Sequence, residues 1–218
     1  MIRLTEVAKE YPRSGVALAQ VSFELAKGEF VFLTGPSGSG KTTILKLLYM
    51  DDKPTQGEVW INGVSSRNAT GREISRLRRR IGIVFQDFRL LDHLTTWENV
   101  ALPLRVVGKK MTQYKEDVTD LLQWVDLGDR MHAFPSILSG GEKQRAAIAR
   151  AVIAKPELLL ADEPTGNVDP QMAERLLRLF IELNRLGTTV VIATHDHQLM
   201  RQFKAPRLEL ERGHVKLV

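Results

Sequence analysis

Apolar and polar positions alternate at short period at the start of this chain and then gather into blocks. Period-two alternation predicts strands over Ile2–Val7 and Ala17–Leu25. Gly28 marks the turn into the unbroken apolar run Phe30-Val31-Phe32-Leu33, a buried strand, and Thr43-Ile44-Leu45-Lys46-Leu47-Leu48 reads as a helix. Glu58-Val59-Trp60-Ile61 followed by Asn62-Gly63 is a strand and turn. Ile81 to Phe85 is a further buried strand ending at Gln86. A helical region follows. Thr95 and Glu98 have capping-box spacing and open a short helix that Pro103 bounds or kinks. Val118, Leu121, Leu122 and Val125 form one apolar helix face, which Gly128 closes. An Ala-rich helix starts after Ser139-Gly140-Gly141-Glu142 and stops at Pro156. Leu158–Ala161 and Thr189–Ala193 are two more buried strands, and between them lies a helix that starts at Pro170 and ends at Gly187. Strand and helix alternate from Phe30 onward, which predicts an α/β fold with a largely parallel sheet and helices on both faces. Polar residues recur at the carboxyl ends of these strands, where open α/β sheets bind ligands.

The most informative of those strand ends is Gly35-Pro36-Ser37-Gly38-Ser39-Gly40-Lys41-Thr42. Strand, glycine-rich loop, Lys-Thr and helix together make a phosphate-binding P-loop. Its glycines let backbone N–H groups approach phosphates without a β-carbon in the way, and the helix start adds its positive dipole end. Lys41 reaches the β- and γ-phosphates, the Thr42 hydroxyl ligates Mg²⁺, and Thr43 continues the phosphate-binding segment. At Leu158-Leu159-Leu160-Ala161-Asp162-Glu163, four apolar residues precede two carboxylates, the pattern of a Walker B strand. Such a strand presents Asp162 rigidly to Mg²⁺ and places Glu163 to act as general base on an attacking water.

Composition narrows the class without changing it. At 43% hydrophobic and 26% charged over 218 residues, the chain can bury a core and is not of the disordered type. The sequence has no cysteine, so disulfide frameworks and thiolate metal sites are excluded, and a reducing cytosolic setting is expected. Its first residues read as a strand rather than a signal sequence. No apolar run approaches the roughly 18 residues of a spanning helix, so membrane crossing is expected of another chain. The net charge of +5 is partly local, with Arg67, Arg72, Arg76, Arg78, Arg79 and Arg80 close together. No aromatic residues interleave with them to stack bases, which favours a solvated helix face over a nucleic-acid site.

Taken together, the P-loop, Gln86, Leu138-Ser139-Gly140-Gly141-Glu142, the Walker B stretch, Gly166-Asn167-Val168-Asp169 and His195 resemble the motif set of ABC-type ATPases over essentially the whole chain. The L-S-G-G-x signature is the most specific of them. The resemblance implies one ABC ATPase domain over 1–218. It comprises a P-loop core of mostly parallel sheet, an N-terminal antiparallel β part and a helical subdomain at roughly 88–156. It also implies ATP and Mg²⁺ as ligands, with Thr42, Gln86 and Asp162 around the metal. Gln86 is then the Q-loop residue, His195 the switch histidine on the γ-phosphate, Tyr11 the adenine-stacking aromatic and Asp169 the D-loop residue. His197 keeps a structural reading. Ser139, Gly140, Gly141 and Glu142 would face ATP held by the other subunit, so a head-to-tail homodimer is needed to complete each site. Glu stands at 142 where many members have Gln, and Val168 replaces a more usual Leu.

Ala161-Asp162-Glu163-Pro164-Thr165-Gly166-Asn167 is similar to the subgroup holding lipoprotein-release, macrolide-efflux and cell-division ATPases. Asp87-Phe88-Arg89 within Val84–Leu91 points to its cell-division members. That resemblance implies attachment to the inner face of the cell membrane at the division site and a polytopic partner, FtsX, through which ATP use regulates cell-wall hydrolysis. A contact with the division tubulin FtsZ is also implied. The alternatives are the ATPase of a lipoprotein-release or efflux transporter, a soluble ABC ATPase acting on nucleic acid, and a nucleotide-gated module without turnover. No specific nucleic acid is expected, and intact Glu163, Gln86 and His195 argue against the last. Phe88, Leu90, Leu91 and Trp97 are either an apolar groove for a membrane partner or core of the helical region.

Overall fold

Alternation at the N-terminus is realised as an antiparallel sheet. In the computed structural model, which describes residues 1–13, 15–196, 200, 203 and 205–218, β1 (Ile2–Tyr11) pairs with β2 (Gly15–Leu25) and with β4 (Gln56–Ile61). Ile2, Leu4 and Val7 are buried while Arg3, Thr5 and Glu6 are exposed. Strict alternation would turn Val7 outward. Glu6 adopts a left-handed φ of 49°, the register shifts between Leu4 and Val7, and the bulge returns Val7 to the core. Gly57 in β4 makes room for it, since a β-carbon there would stand 2.2 Å from the Glu6 carbonyl oxygen. Both strands run further than their alternation suggests, because pairing continues to Tyr11 opposite Gly15. Asn62 (φ 49°) and Gly63 (φ 80°) make the expected tight turn from β4 into β5 (Val64–Ser65).

These strands belong to one of two compact units, Met1–Arg78 with Asn184–Val218; the other is Arg79–Leu183. In the first, β3 (Phe30–Thr34) lies parallel to both β8 (Thr189–Ala193) and β9 (Arg207–Glu211), and β10 (His214–Leu217) adds antiparallel to β9. All of β8 and Val31–Thr34 of β3 are buried, so neither strand alternates. Helix α1 (Lys41–Leu48) buries Ile44, Leu47 and Leu48. The pair β9–β10 extends the sheet beyond the last strand expected from sequence. Arg207-Leu-Glu-Leu-Glu211 buries only its two leucines, too short an alternation to stand out. Helix α2 (Gly71–Arg78) carries Arg72, Arg76 and Arg78 of the arginine-rich stretch, and its Arg78 donates to the Tyr49 and Met50 carbonyls at 3.1 and 2.8 Å.

In the second unit, β6 (Ile81–Val84) runs parallel to β7 (Leu158–Asp162) and ends one residue before Phe85. The expected helical insertion contains α3 (Thr96–Val106), α4 (Lys115–Trp124) and α5 (Gly140–Val152), joined by short 3₁₀ turns. Thr95 and Glu98 form the expected capping box. Helix α3 does not stop at Pro103. Buried Val100, Ala101 and Leu104 hold its inner face, and that packing outweighs the one ladder bond a proline removes. Helix α4 ends earlier than expected. The chain leaves it at Asp126 (φ 55°), and Gly128 instead opens a 3₁₀ turn. Helix α6 (Pro170–Arg185) begins at its proline, with Gly187 (φ 100°) just beyond its end, as the sequence suggests. Helix α5 packs so closely on β6 that a β-carbon at Gly82 would stand 2.2 Å from the Ala151 carbonyl oxygen. Gly82→Ala is therefore expected to lower stability by about 1–3 kcal/mol, read as a drop in the urea midpoint at unchanged m-value.

Candidate functional site

In the first unit, the loop leaving β3 has positive φ at Gly35 (142°), Gly38 (77°) and Gly40 (108°). Space as well as φ demands glycine at two of them. A β-carbon at Gly35 would meet the Leu210 carbonyl oxygen at 2.2 Å, and one at Gly40 the Ala17 carbonyl oxygen at 2.7 Å. Gly40 is the N-cap of α1 and supplies no side-chain cap. The first turn of a helix offers N–H groups that its own ladder does not use, and here nothing from the cap residue covers them. Lys41 curls back over the loop, its Nζ donating to the Gly35 and Pro36 carbonyls at 2.8 and 3.0 Å. Ser39 Oγ is buried with no partner. An uncapped helix start, an ammonium group and an orphaned hydroxyl together suit a phosphate group.

Parallel pairing brings a further sequence-selected residue to this loop. Leu33 of β3 is in register with Ala193 of β8, and Thr194 N–H donates to the Leu33 carbonyl at 3.1 Å. Both strands thus end at one edge. Exposed His195 lines a cavity of about 370 Å³ with Thr34, Gly35, Pro36, Arg207 and Glu209. His197 lies outside the described residues. Tyr11 is half-buried at the end of β1, its hydroxyl donating to Asp52 Oδ2 at 3.0 Å. Burial raises the Tyr11 hydroxyl above its usual value, and Thr43 of α1 is among the side chains that touch it. Lys9 Nζ donates to Asp52 Oδ1 at 2.6 Å and stands 4.9 Å from the Tyr11 ring centroid. Burial alone would raise the Asp52 carboxyl, but the hydrogen bonds from Lys9, the Lys53 backbone and Tyr11 hold it below its ordinary value.

The second unit carries the remaining candidates. Asp162 closes β7 as a buried carboxylate, and Glu163 follows at a left-handed φ of 48°, a strained geometry of the kind that gathers at functional positions. Asp169 caps α6, accepting from the Met172 N–H at 3.0 Å. Gln86 is exposed two residues past β6. Ser139 and Glu142 form the capping box of α5: Glu142 N–H donates to Ser139 Oγ at 3.2 Å and Ser139 N–H to Glu142 Oε2 at 2.7 Å. Gly141 is required internally, because a β-carbon there would be 2.9 Å from the Asn167 carbonyl oxygen. Gly140 has nothing within 4 Å of where a β-carbon would stand, so this chain's own packing gives no reason for glycine there.

Several residues that shape these segments have no motif to mark them. The Ser139 N–H, and after it Arg130, whose Nε donates to Glu142 Oε1 at 2.9 Å, pull the Glu142 carboxyl down to about 2. Asn99 is fully buried and ties the chain from Leu91 to Thr95, and Arg150 reaches the carbonyls of Phe88 and Arg89. Only a distant pairing reveals such roles. Of the apolar set after Gln86, Phe88, Leu90 and Trp97 are half-buried and Leu91 is exposed.

A glycine-rich anion loop at a parallel strand end, a buried acidic strand end and a second capped helix start preceded by Leu138 define the ABC class of nucleotide-binding cassettes. The ABC transporter family matches residues 18–166, and the chain belongs to that family as an ABC-type ATPase. Its similar proteins narrow the comparison further. The cell division ATP-binding protein FtsE is 46% identical in Escherichia coli K12, over 99% of this chain and 97% of the relative. In Bacillus subtilis it is 43% identical over 98% and 93%, and in Mycobacterium tuberculosis 44% over 99% and 94%. Among solved structures, a dimeric ATP-binding cassette in a post-hydrolysis state with ADP and Pi superposes with a TM-score of 0.93. It is 36% identical and matches over 100% of this chain and 98% of that one.

The Glu142 contacts make part of the stability pH-dependent. A carboxyl that titrates at about 2 when folded, against an ordinary 4.5, contributes fully above 4.5 and loses its contribution as pH falls toward 2. Glu142→Gln should remove that part of the acid limb. The expected loss at neutral pH is about 0.5–1 kcal/mol, because Arg130 is solvent-exposed, and urea unfolding at a series of pH values between 5 and 2.5 measures both.

Proposed function

We propose that the two units work as one nucleotide-binding domain that binds and hydrolyses Mg-ATP in a head-to-tail homodimer. This dimer serves as the ATPase of a membrane-associated complex in cell division. The observation that carries the reading is Gly140. A glycine with no internal neighbour, at the capped start of α5, leaves room for something from outside the chain, and a helix start favours an anion. The P-loop offers a second anion-suited helix start, so the chain has two halves of a phosphate site. A partner copy supplying Ser139, Gly140 and Gly141 opposite the P-loop completes one site at each half of a two-fold dimer. Glu142 can stand there without opposing the phosphate, because Arg130 and the Ser139 N–H neutralise its charge locally.

Within this site, Gly35 to Thr43 hold the phosphates and Lys41 exchanges its bonds to the loop carbonyls for phosphate oxygens. Glu163 takes a proton from the attacking water, and His195, at the P-loop edge, donates to the γ-phosphate. Tyr11 stacks the adenine, and Asp169 reaches across the dimer. Thr42, Gln86 and Asp162 would hold Mg²⁺, a hydroxyl, an amide and a carboxylate that suit a cation which keeps several waters and takes few protein ligands beside phosphates. Bound there, Mg²⁺ neutralises charge on the β- and γ-phosphates.

The cell-division role rests on relatives at 43–46% identity that carry that name. No helix among the described residues is long and apolar enough to cross a membrane, so attachment to the inner face at the division site runs through a polytopic partner of the FtsX type. Through it, dimer closure regulates cell-wall hydrolysis, and FtsZ is a further partner. Copurification from gently solubilised membranes tests this part. An FtsX-like protein that stimulates turnover is expected, whereas recovery of an efflux or lipoprotein-release permease would replace the division role.

Two substitutions test the chemistry. Glu163→Gln should preserve ATP binding and slow hydrolysis by about 10²–10⁴; near-normal turnover would remove Glu163 as base. Lys41→Ala should abolish tight nucleotide binding in a titration, because a phosphate-facing charge is lost.

A further inference from the structure

Helix α5 has the capping box at its start and Arg150 in its last turn, about 16 Å away at 1.5 Å per residue. The Arg150 guanidinium donates from Nη2 to the Phe88 carbonyl at 2.7 Å and from Nη1 to the Arg89 carbonyl at 2.5 Å. Phe88 (φ 61°) and Arg89 (φ 48°) are, among the described residues, the only two consecutive non-glycine residues in the left-handed region. That geometry is strained and unusual for a bulky side chain. Two local backbone bonds close the turn, Phe88 N–H to the Phe85 carbonyl at 3.1 Å and Arg89 N–H to the Asp87 carbonyl at 2.7 Å, and its remaining side-chain contacts are weak. Arg89 pairs with Asp87 at 3.2 Å on an exposed surface and lies 4.2 Å from the Phe85 ring centroid. Arg150, by contrast, is desolvated enough to pull its guanidinium down to about 10, yet it stays charged at neutral pH. A cation that gives up water to bind two carbonyls holds them firmly.

The far end of the same segment is held from another helix. Asn99 of α3 accepts from the Leu91 N–H at 2.8 Å and donates to the carbonyls of Leu91, Leu94 and Thr95. Between these two anchors the segment has little freedom, and Gln86 stands immediately before the strained turn.

We propose that Arg150 is a positioning residue that locks the turn at Phe88–Arg89 to the signature helix, so that Gln86 and the start of α5 move as one body during turnover. The proposal rests on the roles given above to Gln86 and Ser139. Movement of α5 toward or away from the phosphate of a partner copy is then passed directly to the backbone that carries Gln86. The turn stores the strain, and the guanidinium keeps it from relaxing.

The test compares Arg150→Met and Arg150→Lys with the unaltered full chain, measuring kcat and KM for MgATP together with amide exchange. Arg150→Met should lower kcat by about tenfold or more with KM within about twofold, since the P-loop is not touched. Amide exchange should speed up over 86–91 and stay unchanged over 35–48. Arg150→Lys, which retains a cation able to reach a carbonyl, should recover much of the lost kcat. Normal kcat in Arg150→Met, or exchange over 86–91 that does not change, would overturn the proposal. So would a loss that Arg150→Lys does not relieve. Failure of the ATPase reading is separable from this: it would show as absent MgATP turnover in the unaltered chain.

Discussion

The first turn of an α-helix has N–H groups that its own ladder cannot use, and this protein uses that constraint twice in different ways. At α1 the cap residue is Gly40, which contributes no side chain, so the loop before the helix is shaped for an outside anion. At α5 the cap is a full box of Ser139 and Glu142, which satisfies the helix locally and leaves the adjacent Gly140 uncrowded. Much of the surrounding structure serves to hold these two starts in place. Gly35 and Gly40 allow the loop to pass against Leu210 and Ala17, and Gly82 and Gly141 allow α5 to lie against β6 and the loop at Asn167.

Charged side chains at both ends of α5 are tied down within the chain. A glutamate beside a phosphate site would ordinarily oppose the ligand. Here Glu142 is committed to the Ser139 N–H and to Arg130. Arg150 applies the same kind of bond at the other end of the helix, to backbone carbonyls rather than a carboxylate. One helix thus joins the capped start at Ser139 to the left-handed turn at Phe88 and Arg89.

Most of this fold is legible in the sequence because many of its strands are either alternating or wholly apolar, and α3, α5 and α6 begin at capping boxes or a proline. The P-loop, Walker B and signature residues are legible because they are local: each is a run whose spacing states its geometry. What escapes is decided at a distance. Pro103 reads as bounding or kinking its helix, and only the burial of Val100 and Leu104 shows why the helix runs past it. Gly128 reads as a helix end, yet Asp126 takes the left-handed position first. The arginine cluster reads as one charged face, but Arg78 bonds to the Tyr49 and Met50 carbonyls and Arg80 to Glu157. Asn99, Arg130 and Arg150 belong to no motif, because their partners lie between 4 and 62 residues away.

The central claim is that one chain carries two incomplete halves of a phosphate site and that ATP joins two chains to complete both. Sedimentation velocity of the full chain with Mg²⁺ and a non-hydrolysable ATP analogue tests it most directly. A shift from monomer to dimer that requires the analogue, and that ADP does not produce, is the predicted result. A chain that remains monomeric with saturating analogue, while its specific ATPase activity is independent of protein concentration, would contradict the account.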